Sequence, residues 1–138
     1  MSAPASNWVL PDLLAQTLRP DFTWSELRPG VDEHRLYGSN DGSGPIASIL
    51  RYAPGARVPY HRHGGHEHIF VLSGAQRDER GTYGAGTLVI NQPDSRHDVV
   101  SDDGCTVLVI WERPVTFVER SDPHGDQRAD PNGTASSR

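Results

Sequence analysis

The chain has 138 residues, enough for one domain with a hydrophobic core, and a formal net charge of −5 from thirteen basic and eighteen acidic residues. All thirteen basic residues are arginine, which excludes Schiff-base, P-loop and general-base chemistry by lysine. The acidic balance argues against nucleic acid as a partner, and the absence of a run of eighteen apolar residues argues against a membrane-spanning segment.

The first predicted element is an extended N-terminal arm over residues 1–33. Trp8, Phe22 and Trp24 are apolar anchors in it. Pro20, Pro29 and Gly30 keep the segment from forming one long helix. We expect this arm to cover the domain or to pair with a partner chain.

Residues 34–119 show short apolar runs separated by glycine, proline, serine and aspartate. We predict about eight strands here, at 34–37, 46–53, 58–62, 67–72, 75–79, 87–91, 105–111 and 115–118. This spacing is typical of an all-β sandwich or barrel. Residues 120–138 contain almost nothing apolar, so we expect a disordered tail.

A histidine cluster begins within the third of these strands and continues past its end. Side chains at i and i+2 of a strand share a face, so His61 and His63 point the same way. Gly64-Gly65 reverses the chain, and Glu67 can return a carboxylate to that face. Two imidazoles and a carboxylate from neighbouring strands make a site for a divalent metal, and His97 is a fourth candidate ligand from a distant strand. The alternative is a solvated, histidine-rich loop.

The stretch from Gly55 through His61, His63 and Glu67 to Gly74 resembles the first cupin motif in full. A second cupin motif begins at Gly86 and ends at His97. It departs from the usual pattern in between, with Gln92 and Asp94 at the proline and glycine positions and Ser101 at the asparagine position.

The sequence Asn91-Gln-Pro-Asp-Ser-Arg-His97, with the run from Ser101 to Val109, is similar to the cupin domain of ChrR-type anti-sigma factors. Those proteins carry a zinc-binding helical domain before the cupin. This chain leaves no room for one, so we do not expect sigma-factor sequestration. Similar stand-alone cupins include dioxygenases that cleave β-diketones or aryl ketones. The resemblance implies a double-stranded β-helix, or jelly-roll barrel, commonly a homodimer, with one divalent metal ion per chain inside it.

Several other residues outside the metal-ligand set also have predicted positions. His66 and His68 are out of phase with Glu67, so we expect them to face solvent. Arg51, Tyr60 and Trp111 are candidates for the wall of a substrate cavity, and core packing explains the last two equally well. Further wall candidates are Ile69, Val71, Leu88 and Ile90.

Cys105 is expected to be a small buried residue. A single cysteine and the lack of a visible secretory signal in the first twenty residues favour a cytoplasmic location.

Three functions remain open at this point. The first is a mononuclear metal enzyme of dioxygenase type, with Fe(II) or Zn as the leading metals and Mn or Ni as further options, acting on a small oxo-substrate. The second is a non-catalytic zinc-binding sensor, in which three histidines and Glu67 close a tetrahedral site. The third is isomerase or lyase chemistry on sugars or small acids.

Overall fold

Antiparallel strands form nearly all of the regular secondary structure in the part of the chain that the structure describes. The structure, a computed structural model, describes residues 5–120, so residues 121–138 of the predicted tail lie outside the described residues. Helix α1 (Leu13–Thr17) precedes ten strands: β1 (Ser25–Arg28), β2 (Val31–Tyr37), β3 (Ile46–Tyr52), β4 (Ala56–His63), β5 (Glu67–Asp78), β6 (Gly81–Gly84), β7 (Leu88–Asn91), β8 (Arg96–Ser101), β9 (Cys105–Trp111) and β10 (Val115–Phe117). Within residues 5–120, no helix has the length and apolar character needed to cross a membrane.

Two sheets share the long strand β5 and enclose the core. The first has the order β1-β2-β3-β9-β5-β7. The second contains β10, β4 and β8, together with the C-terminal part of β5 and its partner β6. All these pairings are antiparallel, and the curled sheet confirms the expected all-β jelly-roll barrel.

The core lies between the two sheets and consists largely of branched aliphatic side chains, which pack well on pleated surfaces. Its members include Val31, Ile46, Leu50, Ile69, Val71, Val99, Val107 and Val109.

The N-terminal segment contributes two strands to the barrel. The sheet begins at Ser25, inside the segment that we expected to be an extended arm, because Pro29-Gly30 forms a hairpin turn between β1 and β2. Gly30 has a φ of 80°, a conformation that glycine adopts without strain. Before the hairpin, Phe22 stacks on His34 with ring centroids 3.9 Å apart, whereas Trp8 is 68% exposed.

Strand β5 runs through a predicted turn. A β-bulge between Val71 and Ser73 interrupts the register within one continuous strand, and Gly74 takes a φ of 73° just after it. The next predicted turn cluster is also partly strand, because Gly81–Gly84 pairs with the end of β5 as β6. The prediction of about eight strands was therefore too low.

Candidate metal centre

Four side chains from three strands meet inside the barrel. His61 and His63 lie two residues apart on β4, Glu67 begins β5, and His97 lies on β8 directly opposite His61. Their candidate ligand atoms all lie within 4.8 Å of one another, and all four residues are buried. The strand periodicity that predicted this convergence is therefore present in the fold.

Each histidine is oriented by an acceptor at Nδ1. His61 Nδ1 donates to the Pro59 carbonyl oxygen at 2.8 Å, and His63 Nδ1 donates to the carbonyl and hydroxyl oxygens of Ser95, both at 2.9 Å. His97 Nδ1 lies 2.9 Å from Asp78 Oδ2. Carbonyl and carboxylate oxygens can only accept, so Nδ1 carries a proton in each ring and Nε2 is the nitrogen left to bind a metal. All three rings therefore present Nε2 as a ligand atom.

Two of these nitrogens are buried without a partner. Nε2 of His63 and Nε2 of His97 have no hydrogen-bond partner within residues 5–120, although the two side chains are only 1% and 2% exposed. Burial also lowers the pKa of His61 to about 4, so its imidazole is neutral at physiological pH. Buried and convergent Nε2 atoms fit a divalent cation, which would satisfy them.

Glu67 is a charged carboxylate that the protein holds on both oxygens. Trp111 Nε1 donates to Oε2 at 2.7 Å, and Asn91 Nδ2 donates to Oε1 at 3.0 Å. Oε1 also lies 3.1 Å from Nε2 of His63. Burial alone would raise the pKa of Glu67, but the contact with His63 and the positive charge that the three histidines carry when protonated outweigh burial and lower it to about 2. Glu67 can therefore serve as a fourth, anionic ligand.

Asp78 supports the site and was missed by the sequence analysis. Burial would raise its pKa, but hydrogen bonds from His97, from the backbone N–H of Arg80 and from the Tyr83 hydroxyl outweigh burial and lower it. The ionised carboxylate fixes the His97 ring. If side chains alternated regularly from Glu67 onward, Asp78 would lie on the outer face of the sheet. The bulge before Ser73 shifts the alternation by one residue and turns Asp78 inward.

A mostly apolar cavity adjoins the metal ligands. Its volume is about 30 Å³, and His61, Glu67 and His97 form part of its wall. The other wall residues are Leu27, Leu50, Tyr52, Val58, Ile69, Gln76, Val99, Val107, Val109, Trp111 and Val115.

Of the predicted cavity candidates, only Trp111 and Ile69 lie in this wall. Arg51 is on the outer face of β3, where it pairs with Asp32 at 2.9 Å and lies over Trp24. Tyr60 lies beneath the Arg120 guanidinium instead. Arg51 is out of phase with the inward residues Leu50 and Tyr52, which places it outside this wall.

The remaining wall candidates are also placed elsewhere. Val71 is buried in the core but does not line the cavity, whereas Leu88 and Ile90 are half exposed on the outside of β7.

Other predicted positions agree with the sequence analysis. His66 is exposed and lies 3.3 Å from the Glu112 carboxylate, and His68 is partly buried, out of phase with the buried Glu67 and Ile69. Cys105 is buried, and burial raises the pKa of its thiol.

The fold accommodates Asp94, one of the residues that depart from the second cupin motif. Asp94 adopts the left-handed conformation, with a φ of 72°, at the position where the motif has glycine. Its carboxylate accepts a hydrogen bond from Arg62 at 2.6 Å. The turn keeps Ser95 against His63, so the unusual residue leaves the ligand geometry intact.

Comparison with known proteins gives the family. A family model described as the ChrR Cupin-like domain matches residues 15–114. The anti-sigma-E factor ChrR of Cereibacter sphaeroides is 34% identical over 116 residues, which are 83% of this chain and 53% of that protein. The chain thus spans about half the length of this curated relative.

Several solved structures are also similar to this chain. The complex of SigE with the anti-sigma factor ChrR from Rhodobacter sphaeroides has a TM-score of 0.60 and 28% identity over 78% of this chain and 70% of that one. An acetylacetone dioxygenase from Acinetobacter johnsonii has a TM-score of 0.68 and 16% identity over 98% of this chain and 85% of that one, and shows the same fold. Since the family model spans most of the residues that build the barrel and its His-His-Glu-His cluster, the chain belongs to the ChrR Cupin-like domain family.

Proposed function

We propose that this protein is a mononuclear metal enzyme of dioxygenase type that acts on a small oxo-substrate. The observation that carries the proposal is the apolar cavity, which has three of the four metal ligands in its wall. The oxo end of a substrate, placed in that cavity, would lie directly beside the ion. An Fe(II) ion held by His61, His63, His97 and Glu67 would supply the redox chemistry that dioxygenation requires.

The chain's own residues would orient the ion and keep the site dry. The Nδ1 hydrogen bonds fix the three imidazole rings, and the Trp111 and Asn91 donors hold the Glu67 carboxylate. Branched aliphatic walls leave room for roughly two water-sized groups in a cavity of about 30 Å³. No arginine lines this cavity among residues 5–120, so the metal is its main electrophile.

The test is metal content followed by oxygen uptake. Protein purified without added metal is analysed for Fe, Zn, Mn and Ni, then reconstituted anaerobically with Fe(II) and assayed with 2,4-pentanedione and an aryl ketone. We expect substrate-dependent oxygen consumption from the wild type and from His66→Ala, and none from His61→Ala. Stoichiometric iron with no oxygen consumption for either substrate class would contradict the dioxygenase proposal.

The second candidate is a non-catalytic, zinc-binding regulatory cupin. Four protein ligands are enough to complete a tetrahedral zinc site, and the similarity to an anti-sigma factor supports a regulatory role. Tightly bound zinc, with no turnover after iron reconstitution, is the outcome that favours this candidate. We further infer a cytoplasmic location, supported by the single buried cysteine.

We also propose a homodimer formed through an outer apolar face, defined as Phe70, Leu88, Ile90, Leu108 and Ile110. Ile49, Leu108, Phe70 and Leu88 lie on a cross-strand row over β3, β9, β5 and β7. Exposure rises along that row from 0% at Ile49 to 37% at Phe70 and 54% at Leu88. The N-terminal segment thus covers one end of the sheet only, since Phe22 and Trp24 pack over β2 and β3.

A second copy is the occupant that the charge pattern favours. None of the five residues of the outer apolar face is charged, so two copies that each carry a net charge of −5 can pack there without opposing carboxylates. We expect a dimer by light scattering after size exclusion, and a monomer for Leu88→Asp. Thr82→Asp, on exposed β6, should remain dimeric. A wild-type monomer at micromolar concentration would contradict the proposal.

A further inference from the structure

Gln76 is a buried polar residue that the metal centre does not use. It lies on β5 after the bulge, is 3% exposed, and forms part of the cavity wall together with Glu67 and His97. Its Nε2 has no hydrogen-bond partner within the described residues 5–120. Buried amide donors are nearly always paired, so an unpaired one at a cavity points to a ligand.

The acceptors near Gln76 are already engaged. Asp78, two residues further along the same strand, accepts from His97, Tyr83 and the backbone of Arg80. The Glu67 oxygens accept from Trp111 and Asn91. The Tyr52 hydroxyl and the Cys105 thiol also lie near the Gln76 amide, but neither forms a hydrogen bond of normal geometry with Nε2. A ligand oxygen in the cavity is therefore an acceptor that could pair with Nε2.

The cavity defines the chemistry of that acceptor. Its walls are apolar apart from Tyr52, Gln76, Trp111 and the metal ligands, and its volume of about 30 Å³ admits a molecule or an acyl end of only a few heavy atoms. No arginine lines it among residues 5–120, so an anionic group would find no cationic side chain in the wall. A neutral carbonyl oxygen on a small apolar body meets these conditions.

We propose that Gln76 determines specificity by donating a hydrogen bond from Nε2 to the carbonyl oxygen of a small, uncharged ligand lying beside the metal. This inference rests on the proposed function for the identity of the ligand. It goes further by assigning the protein group that recognises the ligand's oxygen.

The first experiment measures ligand binding without turnover. The protein is loaded with Co(II) under nitrogen and titrated with 2,4-pentanedione, and the visible absorption of the cobalt is followed. We expect Gln76→Met, which has a similar shape but no donor, to bind the diketone about tenfold more weakly with unchanged cobalt stoichiometry. Gln92→Met, at an exposed position, should bind like the wild type. Equal affinity in Gln76→Met would overturn the proposal.

The second experiment needs no ligand and separates recognition from a structural role. Replacing an unpaired buried donor with an apolar side chain should raise the Tm of the metal-free protein, by about 2–5 °C. If the amide instead served packing or an internal hydrogen bond, Gln76→Met would lower the Tm, and the inference would be rejected. The proposed function can fail independently of this inference. In that case the wild type would consume no oxygen, yet it would still bind the diketone more tightly than Gln76→Met.

Discussion

At the scale of single residues, the three histidines differ in what holds them. His61 and His63 donate to neutral oxygens, whereas His97 donates to the ionised carboxylate of Asp78. A charged acceptor makes the stronger hydrogen bond and increases the basicity of the ring. His97 therefore depends on its support more than the other two ligands do.

Asp78→Asn should weaken metal binding by roughly 10–100-fold, because an amide can no longer accept as strongly from His97 Nδ1. Competition of the purified protein with a chromophoric zinc chelator measures this directly. Glu79→Gln, the exposed neighbouring carboxylate, is the matched control and should keep wild-type affinity. Equal affinities for the two variants would show that Asp78 does not tune the site.

The buried Glu67 carboxylate depends on the indole of Trp111. Trp111→Phe keeps most of the ring but removes the donor to Oε2, so the metal-free protein should lose about 1–3 kcal/mol of unfolding free energy. Urea unfolding measures the change. Trp8→Phe, at a residue 68% exposed, should unfold like the wild type. A Trp111→Phe protein as stable as that control would argue against this role.

At the scale of elements, strand β5 places ligands and supports on the same inner face. Before the bulge it directs Glu67 and Ile69 inward, and after the bulge it directs Gln76 and Asp78 inward. The extra residue changes the phase of the alternation, which a regular strand could not do. The left-handed glycine at position 74 makes this change possible.

Gly74→Ala should therefore destabilise the protein by at least about 2 kcal/mol. A Cβ there would collide with the Gly104 carbonyl oxygen and lie 2.7 Å from Cys105 Cα, and the φ of 73° is unfavourable for alanine. Gly84→Ala, on the partner strand β6, is the control, because no atom of residues 5–120 lies within 4 Å of a Cβ at that position. Similar urea midpoints for both variants would contradict this assignment of the bulge.

At the scale of the whole molecule, the metal centre joins the ends of separate sheets. Its ligands come from β4 and β8 in one sheet and from the start of β5 in the other. An ion bound to all of them stabilises only the folded barrel, because the unfolded chain does not hold the four ligands together.

Chelation should lower the Tm of the metal-loaded protein by roughly 10 °C, the shift expected when an ion present well above its Kd is withdrawn. Differential scanning calorimetry with and without EDTA measures it. His66→Ala should show the full shift and His61→Ala almost none. An unchanged Tm in the wild type would mean that the ion contributes nothing to folding stability.

The sequence predicted those parts of the site that follow a regular period. His61, His63 and Glu67 obey strand alternation around a glycine turn, and a motif at fixed spacing identified His97. The inward orientation of Gln76 and Asp78 was not predicted, because a bulge before Ser73 shifts the alternation of side chains along β5. The bulge forms against β9, a strand distant in sequence, so local sequence does not reveal it.

The orientation of Arg51 could not be predicted for a related reason. An arginine in an apolar strand can point to either face, and only the packed fold shows that Asp32 and Trp24 hold it on the outside. The same limit applies to Leu88 and Ile90, whose apolar character indicates burial although the fold leaves them half exposed.

The pairing of His61 with His97 across β4 and β8 bears on how the protein acquires its ion in the cell. A newly synthesised chain offers His61, His63 and the nearby Glu67, and His97 joins them only when β4 and β8, thirty-odd residues apart, have paired. The complete four-residue site therefore forms on barrel closure, and an ion bound by all four would come from the supply around the chain at that moment. The metal found in the purified protein would then record the compartment and growth conditions in which maturation took place.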